Sequence, residues 1–103
     1  MRIRVLPNAL KHGLSAQDIR YAWQSPIRCR QRQSDDEPSR WIAIGVLPDG
    51  RLAEMVAFED ISGSWCVFHA NTPPTKKFMK ELGMMGGKTP GLVVASFVQW
   101  CGI

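Results

Sequence analysis

The most regular feature of the chain is a series of three apolar runs separated by short turn signals. The runs occupy residues 41–47, 51–59 and 65–70. The segment Pro-Asp-Gly joins the first two runs and Ile-Ser-Gly-Ser joins the second to the third, and both segments are typical of tight turns. Because such short connections join antiparallel neighbours, the pattern predicts a three-stranded antiparallel meander.

Helical patterns flank this meander on both sides. Pro7 and Gly13 are typical of the start and end of a short helix, and Ser15 can cap a second helix over SAQDIRYAW. After the third strand, Thr75 can cap KKFMKELGM, whose apolar residues lie four apart and can pack on the sheet. We therefore predict an α+β domain: two short N-terminal helices, an antiparallel meander sheet of three to four strands, and a helix packed on that sheet.

Two shorter segments also alternate as strands do, namely RIRV near the start and IRCRQR further on. In the second segment Arg28, Arg30 and Arg32 share one face. A solvated edge strand gives this pattern, because exposed charges discourage aggregation, and a stripe that contacts phosphates gives it equally well. Residues 1–85 are expected to form one domain, with 86–103 as a C-terminal tail that can be a strand or a short helix.

The amino-acid composition restricts the possible functions of the chain only slightly. With 103 residues and 45% hydrophobic content, the chain is long enough for one core. Thirteen Lys and Arg against nine Asp and Glu give a net charge of +4, which mildly favours a polyanionic partner.

The three cysteines form no CxxC pair, so we expect buried thiols in a reducing cytosol rather than a zinc site or disulfide framework. The first residues lack the apolar core of a signal peptide, and the apolar end is too short for a membrane span, so a cytoplasmic location is expected.

Three segments together resemble a known family. The stretch KHGLSAQDIRYAW at 11–23 is similar to the Lys-His-Gly opening of BrnT-type toxins, Gly-Arg at 50–51 matches their hairpin, and FEDISGSWCVFHAN at 58–71 is similar to their last hairpin and strand. The resemblance covers roughly residues 2–83. It implies a RelE-like fold and an endoribonuclease toxin of a type II toxin–antitoxin system that needs no metal and no cofactor. It also implies neutralisation, in a hetero-oligomer, by an antitoxin protein encoded by an adjacent gene.

The resemblance carries over to individual positions. His12 matches the histidine of the opening motif, Arg51 the hairpin arginine, and Glu59 an acidic position at the end of the second long strand. The usual strand ending Ser-Ala-Arg reads His69-Ala70-Asn71 in this chain. The alternative function is therefore a toxin-derived module that binds RNA or a protein without cutting. A DNA-binding regulator ranks last, because the predicted helices are too few for the usual motifs.

The residue types suit RNA cleavage without a metal, which needs a base, an acid and a cation near the phosphate. Histidine is a common general base or acid, which makes His69 a candidate, and an arginine such as Arg51 can bind a phosphate with two parallel bonds. His69 can also be purely structural, His12 can simply cap a helix end, and Glu59 can act as a base or only pair with Arg51. The predicted catalytic residues are His69, Arg51, Glu59 and Asn71, and the predicted RNA-binding residues are Lys76, Lys77, Arg28, Arg30, Arg32 and His12.

Overall fold

The computed structural model describes residues 2–32 and 34–84, which form a five-stranded mixed sheet with a helix on each face. At one edge, β1 (Ile3–Val5) runs parallel to β5 (Trp65–Asn71). Next come β4 (Leu52–Glu59), β3 (Trp41–Val46) and, at the other edge, β2 (Pro26–Gln31). These last three strands continue from β5 as antiparallel neighbours.

The helical elements are short. A single 3-10 turn covers Pro7–Leu10, α1 covers Ala16–Gln24 and α2 covers Lys76–Glu81. Both predicted caps form: the Ser15 hydroxyl accepts from the Asp18 backbone N–H at 3.1 Å, and the Thr75 hydroxyl accepts from the Phe78 N–H at 3.2 Å. Each cap satisfies a backbone donor that the first helical turn leaves without a partner.

The α+β class and the central meander are confirmed, but the sheet is larger than predicted. It has five strands rather than three to four, because both short alternating segments join it as edge strands. It is mixed rather than antiparallel, since β1 pairs in parallel with β5, with Ile3 opposite Trp65. The first predicted helix is one 3-10 turn, whose four residues are too few for a stable α-helix. The predicted tail, 86–103, lies outside the described residues.

The face of the sheet under α1, here called the α1 face, is apolar throughout. Ile19, Ala22 and Trp23 of α1 are buried against alternate residues of the strands, such as Met55. The helix lies very close to β3, because a Cβ added at Gly45 would collide with the Ala22 carbonyl oxygen. Only glycine therefore fits at this point of the sheet without moving the helix.

The opposite face, here called the α2 face, has a smaller core. Its buried cluster comprises Ile42, Ile44, Val56, Phe78 and Leu82. Since α2 has only six residues, it covers part of this face and leaves the rest more open. The candidate functional residues lie on this face, next to α2.

Two of the three cysteines lie in the described part of the chain. Cys66 is buried and carries a free thiol, whose pKa is raised by burial. Cys29 is also buried, and Cys101 lies outside the described residues. Within 2–32 and 34–84, no helix is long and apolar enough to cross a membrane.

Candidate active site

An open cleft of about 350 Å³ lies on the α2 face between the start of α2, strands β4 and β5, and the 3-10 turn. Side chains of opposite charge share it with aromatic rings. It is lined by Asn8, Arg32, Glu54, Val56, Phe68, His69, Thr75, Lys77, Phe78 and Glu81. The Asn8 amide donates to the Phe68 carbonyl at 3.0 Å and so fastens the 3-10 turn to β5.

A β-bulge places His69 in this cleft. In the β4–β5 pairing, Val56 lies opposite His69, but the next residue, Ala57, lies opposite Val67. Phe68 is therefore an extra residue, so two residues of β5 oppose one of β4. Regular alternation would turn Phe68 and His69 to opposite faces, whereas both line the cleft. The bulge thus brings an imidazole and a phenyl ring side by side to one face.

His69 is held by a buried carboxylate. Its Nε2 lies 2.7 Å from one oxygen of Glu54, and the other oxygen accepts from the Thr75 backbone N–H at 2.7 Å. The Glu54 side chain is only 5% exposed, whereas His69 is 31% exposed. Because an ionised carboxylate only accepts hydrogen bonds, it favours the tautomer with hydrogen on Nε2 and leaves Nδ1 as the acceptor nitrogen. Glu54 therefore both orients the imidazole and anchors the N-terminus of α2.

Two further rings flank His69. The ring of His12 meets that of His69 edge-on, with 5.8 Å between the centroids. The ring of Phe78 stacks at 6.4 Å from His69. His12 is exposed on the segment that follows the 3-10 turn. Two titratable rings thus lie next to each other, one with a buried partner and one accessible to solvent.

The arginine stripe of β2 contacts the end of α2. Arg32 binds both carboxylate oxygens of Glu81, at 2.7 and 3.0 Å, and Arg30 donates to the Glu81 carbonyl at 3.1 Å. The Arg28 guanidinium lies beside Gly83, just beyond the helix. Cations at a helix C-terminus satisfy its last carbonyls and favour its dipole. The stripe therefore fastens α2 to the edge strand, and only Arg32 also lines the cleft.

The two lysines at the start of α2 differ in position. Lys77 lines the cleft, whereas Lys76 is exposed outside its lining. A lysine in the first turn opposes the helix dipole, so its placement there is slightly unfavourable for stability.

Three predicted catalytic residues lie outside the cleft. Arg51 is in the β3–β4 turn, where its guanidinium contacts Asp49 at 2.6 Å. Hydrogen bonds from the Arg51 backbone and side chain lower the pKa of the Asp49 carboxyl. Glu59 is exposed at the far end of β4, and the Asn71 amide donates to the Pro73 carbonyl at 3.4 Å. Among the predicted residues, the structure therefore brings together His69, His12, Arg32 and Lys77.

The sequence analysis missed Glu54. The sequence does mark this position as unusual, because the glutamate interrupts the apolar run LAEMVAF in a strand that is buried on both faces. A carboxylate is rarely fully buried without a partner, so such a position points to a specific contact. Nothing in the pattern indicated that the partner would be His69, because the bulge shifts the register.

Within residues 2–32 and 34–84, no group of three or more His, Cys, Asp or Glu side chains could hold a metal ion. No protein-family model, curated protein or solved structure matches the chain.

Proposed function

We propose that this protein is a metal-independent endoribonuclease toxin of BrnT type with a RelE-like mode of action, which cleaves RNA and thereby inhibits translation and growth. One observation carries the proposal: a buried carboxylate holds an accessible histidine in a cleft that also contains a lysine. Glu54 and His69 supply an oriented proton acceptor, and Lys77 supplies a cation in the same cleft.

The proposed reaction is transfer of the phosphate to the neighbouring 2′-hydroxyl. His69 Nδ1 accepts the 2′-hydroxyl proton, the 2′-oxygen bonds to phosphorus, and the bond from phosphorus to the 5′-oxygen breaks. The products are a 2′,3′-cyclic phosphate and a 5′-hydroxyl. A protonated His12 donates a proton to the 5′-oxygen. Proton exchange with water then returns both imidazoles to their starting protonation states. Lys77 stabilises the negative charge that develops on the phosphate.

This assignment changes the roles proposed from the sequence. Arg51 was the expected phosphate clamp, but it pairs with Asp49 in a turn outside the cleft lining, which favours Lys77 for this role. Asn71 and Glu59 receive no chemical role, because neither lines the cleft. His12 moves from general RNA contact to proton donor because its ring adjoins that of His69.

The direct test is cleavage of short single-stranded RNA by the purified protein in EDTA. Products with a 2′,3′-cyclic phosphate are expected. His69→Ala should slow cleavage on the order of 100-fold or more, as loss of a general base does. Lys77→Ala should also slow it, whereas Lys80→Ala, a loss of the same charge from an exposed position of the same helix, should not. Activity that disappears in EDTA and returns with magnesium would contradict the mechanism.

The proposed partner is a cognate antitoxin encoded by the adjacent gene. The supporting feature is the basic rim of the α2 face, where exposed Lys76 and Lys77 lie next to the cleft. Co-expression with the adjacent gene product should give a stable complex that cleaves RNA more slowly than the protein alone. A neighbouring product that does not co-purify would remove this part of the proposal.

A second candidate is a module that binds RNA or a protein without cutting. It is favoured by the neutralisation of Arg32 by Glu81 and by Asn71 at the position where BrnT-type toxins have arginine. Expression of the chain alone separates the two functions. The toxin halts growth, and His69→Ala relieves that effect, whereas the binding module retains RNA or a partner protein and forms no cleavage products.

A further inference from the structure

A second aromatic and cationic cluster lies on the α2 face, outside the part that α2 covers. The rings of Phe58 and Phe68 are 5.8 Å apart, tilted by 41°. The Arg40 guanidinium lies over both, 4.8 Å from the Phe68 centroid and 5.5 Å from the Phe58 centroid. We call Arg40, Phe58 and Phe68 the Arg40 platform. Such cation–π contacts hold a guanidinium in a defined position at the surface.

The Arg40 platform adjoins the cleft. Phe68 belongs to both, because it lines the cleft next to His69. The bulge that turns His69 to this face turns Phe68 to the same side. A ligand with a phosphate beside His69 can therefore extend onto the platform without crossing the sheet or α2.

Arg40 has the accessibility that a contact surface needs. Its side chain is 29% exposed, and its ion pair with Asp36 is long, at 3.8 Å. A planar guanidinium over aromatic rings can stack against a further planar group on its outer side. Nucleobases in single-stranded RNA stack on aromatic rings and on arginine planes. Bases in a duplex have their faces covered by neighbouring base pairs and cannot stack in this way.

We infer that the Arg40 platform binds a nucleobase of single-stranded RNA, next to the phosphate at which His69 acts as general base. This inference rests on the proposed function, because it names the substrate class of the same site. The platform selects unpaired RNA, since only an unpaired base can lie flat on Arg40. It discriminates little among the four bases, because every base has a stacking face.

The experiment measures binding rather than cleavage. A fluorescent, non-cleavable 2′-O-methyl RNA oligonucleotide is titrated with the intact protein, and anisotropy gives the affinity. Arg40→Lys keeps the charge but loses the plane, so it should weaken binding roughly fivefold to a hundredfold, the range of one lost base stack. Arg4→Lys is the matched control, because Arg4 is 59% exposed and pairs with Asp60 on another part of the surface.

An oligonucleotide with abasic positions separates stacking from charge. The difference between the parent protein and Arg40→Lys should vanish on the abasic strand, and Phe68→Leu should behave like Arg40→Lys. Equal affinities of the parent and Arg40→Lys for the normal strand would overturn the inference and leave the proposed function standing. Equal binding of duplex and single strands would also overturn it. A protein that binds none of these strands and cleaves no RNA contradicts both proposals.

Discussion

The two faces of the sheet are formed by the same strands but differ in how polar and how closed they are. Along β4, Ala53, Met55 and Ala57 enter the apolar core of the α1 face, whereas Glu54 and Val56 alternate with them toward α2. The α1 face is closed by a nine-residue helix over an apolar core. The α2 face has a six-residue helix, a buried carboxylate and an open cleft. Alternation along one strand thus allows a stable core and a chemical site to share a backbone.

The difference extends to how each helix is held. The α1 helix is held mainly by burial, which is non-directional and scales with the apolar area removed from water. A six-residue helix is too short to be stable alone. In addition to burying Phe78 and Leu82, α2 depends on directional contacts, namely its Thr75 cap, the Glu54 bond at its start and the Arg32–Glu81 pair at its end. We therefore expect mutations on the α1 face to lower stability, and those on the α2 face to alter the site.

The largest stability effect should come from Trp23→Ala on the α1 face. Trp23 is 1% exposed and packs against Trp65 at 5.4 Å between centroids, so its removal leaves a large cavity. The free energy of unfolding should fall by about 3–5 kcal/mol. Chemical denaturation measures this loss.

Trp23→Phe is the matched control. The indole N–H of Trp23 has no hydrogen-bond partner within residues 2–32 and 34–84, so phenylalanine loses packing but no hydrogen bond in that part of the chain. The loss should be clearly smaller than for alanine. A Trp23→Ala protein as stable as the parent would refute the view that this face carries the stability.

Glu54→Ala on the α2 face should have an intermediate effect. It leaves the Thr75 N–H and the His69 Nε2 without their acceptor, which costs about 1–3 kcal/mol in unfolding free energy. Cleavage should fall by more than this loss of stability explains, because His69 also loses its orientation. Glu54→Gln keeps a carbonyl acceptor and should lie between the parent and Glu54→Ala in stability. Parent activity in Glu54→Ala would show that the carboxylate does not position the histidine.

Arg32→Met should have a smaller effect. The Arg32–Glu81 pair is two-pronged, but each side chain is 32% exposed, so its contribution is about 0.2–1 kcal/mol. Thermal unfolding at low and high salt measures it, and salt should reduce the difference between variant and parent. Arg32→Lys keeps the charge but lacks the two-pronged guanidinium contact, so its loss of stability should be smaller than that of Arg32→Met. A difference that does not change with salt would indicate packing of Arg32 on the Phe78 ring instead, whose centroid is 5.8 Å from the guanidinium.

The smallest effect should appear only in acid, at the turn between β4 and β5. Hydrogen bonds from the Ser62 hydroxyl and the Ser64 backbone N–H lower the pKa of Asp60 to about 2. The ionised form is therefore favoured in the folded protein, and its stabilisation is complete above about pH 4 and lost as the pH falls toward 2. Asp60→Asn should melt below the parent at pH 5, and the gap should narrow by pH 2. A gap of constant size would rule out this linkage.

The sequence sufficed for features that depend on local chemistry. The meander follows from its turns, and the caps at Ser15 and Thr75 follow from residue type and spacing. The parallel pairing of β1 with β5 joins residues about 60 positions apart, and no local pattern encodes it. Of the predicted site residues, His69 and Lys77 line the cleft, whereas Arg51 and Glu59, which were grouped with them by the family resemblance, do not. A resemblance of short motifs cannot locate a side chain in three dimensions or foresee a bulge.

The extra residue at Phe68 makes the arrangement of this face depend on chain length as well as on residue identity. Deleting the neighbouring Val67 would restore uniform alternation, place Phe68 opposite Ala57 and turn its ring toward the α1 face, although every side chain with a proposed chemical role would still be encoded. Substitutions can weaken the cleft one contact at a time, whereas this single-codon deletion would take the Phe68 ring out of both the cleft and the Arg40 platform in one step.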